Sequence, residues 1–86
     1  MEIENIVAAL EKTLSLLRQS ESSACARFSV EELIGQIENE LNKIKKNNMA
    51  DKEQLNYLFA PTCSLQETSI DNGWGREFLE LAELCT

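Results

Sequence analysis

Apolar residues recur through the first half of the chain in two stripes of helical period. Ile3, Val7, Leu10, Leu14 and Leu17 stand at steps of four and three, with Ile6 beside them, and predict a helix over residues 2–20. Ser20, Glu21, Ser22 and Ser23 come next, and such side chains compete for backbone hydrogen bonds, so the helix is expected to fray there into a polar connection. The following start is marked twice. Ser29 and Glu32 have the spacing of a capping box, and Phe28 is placed to pack on Leu33 as a hydrophobic staple. Val30, Ile34, Ile37, Leu41 and Ile44 then repeat the four-and-three steps over residues 29–47. Lys43, Lys45 and Lys46 near its end complement the carbonyl pole of the helix, and Asn47 and Asn48 are natural stop residues.

Two stripes of similar length joined by a short connection predict an antiparallel helix pair, with each fully buried Leu or Ile worth about 1.5–3 kcal/mol. A pair buries only one face of each helix, so the C-terminal half has to supply the cover. Asp51 with Gln54 gives a weaker capping signal, and Leu55, Leu58 and Phe59 predict a short helix over 51–59 that Pro61 ends. Residues 60–73 show no helical period and are read as a long loop. Trp74, Phe78, Leu81, Ala82 and Cys85 fall on one face of a last helix over 74–84, with Asn72 or Gly73 as its N-cap. The expected fold is therefore all-α: a small helical bundle forming a single domain over 1–86.

Charge narrows the partners. Fifteen acidic side chains against eight basic ones leave a net charge of -7 on 86 residues. That repels nucleic-acid backbones and anionic membrane surfaces and favours basic partners, so no direct nucleic-acid binding is expected. The basic residues gather in 43–52, whereas the last third is acidic. The start MEIENIVAAL has no positive leader region and no long apolar run, and Cys25, Cys63 and Cys85 form no CxxC pair. Both features fit a cytoplasmic chain with free thiols, no membrane segment and no disulfide framework.

The candidate chemistry is sparse. The chain has no histidine, which removes Ser-His-Asp and Cys-His catalysis and the common zinc patterns together. Gly73 and Gly75 around Trp74 lack the Lys-Ser or Lys-Thr of a phosphate-binding loop. Cys63 is the one conceivable nucleophile, but no base neighbours it in sequence, and a small thiol filling a loop is the plainer reading. No catalytic residue, metal or cofactor is expected. Arg76 stands four residues before Glu80, the spacing of a helical ion pair. Trp74 has two readings, as a core residue beginning the last apolar face or as an exposed interface anchor.

Residues 58–83, LFAPTCSLQETSIDNGWGREFLELAE, resemble the C-terminal signature of a family of small acidic bacterial proteins, LFAPTG-LQE-SI-NGWG-EFL-LAE. Cys63 stands where that signature has Gly, which further weakens a catalytic reading of its thiol. Proteins similar to this one occur among the immunity proteins of bacterial toxin systems, contact-dependent growth inhibition included. The resemblance implies a non-enzymatic protein whose partner is a cognate toxin domain, commonly a nuclease. From charge and position, the expected partner-binding residues are Glu67, Asp71, Trp74, Glu77 and Glu80, with the outer face of the second helix around Glu31 and Glu38 as the alternative. Sequence leaves three rivals open: an adaptor or regulatory subunit, a small enzyme using Cys63, and a homodimer.

Overall fold

The computed structural model describes residues 2–24, 26–60 and 64–85. Five helices follow one another in it: α1 (Glu2–Arg18), α2 (Val30–Asn47), α3 (Lys52–Leu58), α4 (Ser64–Asp71) and α5 (Gly75–Cys85). The described residues contain no strand, so the all-α expectation stands. Pro61, Cys63 and Cys25 lie outside the described residues, and with them the expected helix stop at Pro61 and the thiol of Cys63.

Both long helices follow their stripes. Ile6, Leu10, Leu14 and Leu17 of α1 are buried, and Val30, Leu33, Ile37, Leu41 and Ile44 of α2 face them. The capping box at Ser29 is complete: its hydroxyl accepts from the Glu32 amide at 3.2 Å, and the Glu32 carboxylate accepts from the Ser29 amide at 3.0 Å. At the far end Asn48 takes the left-handed conformation, φ 55°, and its amide closes on the Ile44 carbonyl at 2.7 Å. Asp51 likewise caps α3 through the Gln54 amide.

Two expectations about the C-terminal half need correction. The segment 60–73 is not a loop throughout, because 64–71 form α4. Its buried face is Leu65, Thr68 and Ser69, a proper i, i+3, i+4 set in which two small polar residues stand where a stripe shows aliphatic ones. Ser69 tolerates burial by donating to its own Gln66 carbonyl at 2.6 Å. The short helix α3 packs on α5 and sends Leu55 and Leu58 into the shared core, as expected. Finally, α5 starts at Gly75, and the N-cap position falls to Trp74, whose carbonyl accepts from the Phe78 amide at 2.9 Å, and not to Asn72 or Gly73.

The result is a bundle with α1 in the middle, flanked by α2 and α5, while α4 and α3 pack on α5 from either end of its sequence neighbourhood. Thr68 contributes a flaw to this core. Its hydroxyl is fully buried and has no partner among the described residues, a condition that costs about 1–3 kcal/mol. Thr68→Val, nearly the same shape without the hydroxyl, should therefore raise the unfolding free energy by about 1 kcal/mol in urea titration. A loss of stability would mean that the hydroxyl is satisfied after all.

Cys85 closes the α5 face and is fully buried. Burial pushes its thiol up from 9.0 to about 11, against the weaker pull of the Lys52 ammonium. The folded chain thus prefers the neutral thiol. This contribution is intact below about pH 9 and is lost as pH climbs toward 11, about 2–3 kcal/mol in all. Urea midpoints of the wild type should fall more steeply across that window than those of Cys85→Ala. Parallel curves for the two would contradict it.

Candidate functional site

The stretch that carries the family resemblance turns out to be a clasp. Between α4 and α5, Gly73 takes φ 82°, the left-handed conformation open to glycine. That turn lets the Trp74 amide reach back to the Ser69 carbonyl at 2.8 Å and the Gly73 amide to that of Ile70 at 3.2 Å, the paired bonds of a Schellman ending. The turn then grips the polar connection between α1 and α2. Asn72 Oδ1 accepts from the Glu21 amide at 2.9 Å while its Nδ2 donates to the Glu21 carbonyl at 2.7 Å and to that of Thr68 at 2.9 Å.

Its neighbours repeat the pattern. Trp74 Nε1 donates to the Ser20 hydroxyl at 2.9 Å, and that hydroxyl donates in turn to the Leu16 carbonyl at 2.7 Å. Asp71 Oδ2 accepts from the Ser23 hydroxyl. Ser64 Oγ, at the start of α4, accepts from the amides of Arg27 and Phe28 at 2.9 and 3.3 Å. The serine-rich connection is thus tied down along its length, with α1 ending at Arg18 before it.

This geometry redistributes the five expected partner-binding residues. Trp74 is 4% exposed and hydrogen-bonded, so its place is the core and the anchor reading is corrected. Asp71 is exposed but committed to Ser23. Glu67 and Glu77 are half-buried and Glu80 is exposed. The ion pairs among the described residues lie elsewhere: Arg18 with Glu38 at 3.2 Å, and Lys43 with Glu40 at 3.1 Å and Asp51 at 3.9 Å. The Arg76–Glu80 pair is not formed, and among the described residues Glu67, Glu77 and Glu80 enter no ion pair. The fold therefore leaves these carboxylates to solvent on the α4–α5 side.

Sequence reasoning missed the apolar residues on that same side. Ile70, Leu79 and Leu84 are all exposed. Leu79 stands off the Trp74, Phe78, Leu81 and Cys85 stripe, and this register was the available signal. A groove of about 470 Å³ between α1 and α2 is lined by Leu14 and Leu41 together with Glu11, Arg18 and Lys45. Among the described residues no group of His, Cys, Asp or Glu is arranged to hold a metal ion, and no helix is long and apolar enough to cross a membrane. No family model, no curated protein and no solved structure matches the chain.

Proposed function

We propose that the protein is a stoichiometric inhibitor of the immunity type, binding a cognate toxin domain without performing chemistry. The observation that carries the reading is the α4–α5 side, where Glu67, Glu77 and Glu80 have no internal cation while exposed leucines stand beside them. Carboxylates that the fold does not neutralise are available to a basic surface. A nuclease toxin presents such a surface where it holds phosphate, and an acidic protein seated there excludes the nucleic acid. The net charge of -7 and the resemblance of residues 58–83 point the same way.

Co-expression of the protein with any toxin domain encoded beside its gene tests this, and the proposal ends if none is encoded there and no partner copurifies. The expected result is a stable one-to-one complex and rescue of growth; absence of both ends the proposal. Charge reversal refines it. Glu77→Lys with Glu80→Lys should slow association about tenfold at low salt, measured by stopped flow, and should flatten its salt dependence. Unchanged kinetics would move the interface away from α5.

A further inference from the structure

Asn72 is the only asparagine in the chain that is followed by glycine. Asparagine is a thermally labile residue, and a following glycine lacks the side chain that would keep the next backbone nitrogen away from the asparagine amide carbon. The two groups belong to one segment, so their reaction is intramolecular and needs only a near-attack geometry. The fold withholds it. Asn72 Oδ1 accepts from the Glu21 amide at 2.9 Å, and Nδ2 donates to the carbonyls of Glu21 at 2.7 Å and of Thr68 at 2.9 Å. The Gly73 amide, whose nitrogen would be the nucleophile, is itself engaged in donating to the Ile70 carbonyl at 3.2 Å.

Solvent nonetheless reaches the pair, because Asn72 is half-buried and Gly73 is exposed. The hydrogen bonds, not burial, hold the reacting atoms back. They can be released by a local event. Lifting the 72–74 turn off residues 20–21 frees both Glu21 bonds and the Trp74–Ser20 bond together while the α1–α2 pair stays packed, and openings of that kind cost less than unfolding the whole domain.

We propose that Asn72–Gly73 is a deamidation site gated by the clasp, and that the reaction locks the clasp open. In the opened turn solvent takes the Gly73 amide proton, and the nitrogen bonds to Asn72 Cγ. The Cγ–Nδ2 bond breaks and its nitrogen leaves as ammonia. Water then adds to one of the two carbonyls of the cyclic imide and reopens it as aspartate or isoaspartate, so that water is consumed and ammonia released. Neither product restores the clasp. Where Nδ2 donated to the carbonyls of Glu21 and Thr68, a charged carboxylate oxygen faces them with no proton to give, and isoaspartate also lengthens the main chain between α4 and α5. The inference concerns the clasp alone and stands whether or not the binding reading holds.

Incubation of the full chain at mildly alkaline pH, with peptide mass mapping of the amide-to-acid change, tests it. Conversion at Asn72 should be at least about tenfold slower in the folded protein than in denaturing guanidinium chloride. Two variants locate the gate. Trp74→Phe loosens the clasp, whereas Ile44→Val lowers stability by a comparable amount at the opposite end of α2. Trp74→Phe should therefore speed conversion several-fold more than Ile44→Val does. Asn72→Asp, which fixes one of the products, should melt several degrees below the wild type. Absence of conversion in guanidinium, or equal rates in the folded and unfolded chains, overturns the gated site. Equal acceleration by the two variants means that only global unfolding frees the pair, and overturns the clasp as its gate. An Asn72→Asp chain that melts with the wild type overturns the lock.

Discussion

Trp74→Ala should destabilise the domain by about 3–5 kcal/mol, the usual cost of emptying a buried tryptophan site. The whole stability of a chain this size is roughly 4–13 kcal/mol, so the variant should melt roughly 12 °C or more lower. The cost has two separable parts. Trp74 is 4% exposed at the head of the α5 face, and its Nε1 bonds Ser20 at the end of α1. Trp74→Phe keeps most of the packing and loses that hydrogen bond, for about 1 kcal/mol. A Trp74→Ala chain as stable as the wild type would mean that the clasp does not hold the bundle.

Phe78→Ala should cost a similar amount for a different reason. Phe78 is 1% exposed, and its ring stacks on Phe59 with centroids 5.9 Å apart and planes 18° from parallel. It is the side chain through which α5 meets the end of α3 while also lining the core against α1. Truncation to Ala should lower the unfolding free energy by about 3–5 kcal/mol. A double-mutant cycle of Phe59→Leu and Phe78→Leu should leave a coupling of about 0.5–1.5 kcal/mol that area alone does not supply. Zero coupling would reduce the ring pair to ordinary packing.

Where the fold was legible in the sequence, the reason was local. Aliphatic residues at helical steps, Ser29 with Glu32, and Asn48 after the second stripe each report on neighbours within a turn or two, so α1, α2 and the caps of α2 could be read directly. The α5 face was legible for the same cause. α4 was not, because Thr68 and Ser69 occupy two of its three buried positions and remove the apolar contrast that a stripe needs. The clasp was beyond reach on different grounds. Asn72 meets Glu21 across 51 residues, and Trp74 meets Ser20 across 54. Neither spacing has a periodic signature, and the Ser20 hydroxyl and Glu21 backbone that take part look like those of any polar connection.

The candidate site divided along the same line. Charge marked the C-terminal third as acidic, but not which carboxylates stand without a cation, since Arg76 and Glu80 have the spacing of a pair that the fold does not form. Which of those residues the fold keeps for itself did not show. Asp71 and Trp74 answer to the α1–α2 connection, whereas Ile70, read as part of a loop, and Leu79, off the last apolar stripe, are left exposed. Ile70 lies against Gly75 only because α4 turns back on α5 through Gly73. The family-like stretch thus builds a corner with its inner residues and leaves its outer ones exposed.

That residues 72–74 clasp the end of α1 and the connection after it is most directly tested by the melting temperatures of Asn72→Ala and Trp74→Phe. Each breaks a bond to residues 20–21, so each should melt several degrees below the wild type. Two variants that melt with the wild type would contradict the account.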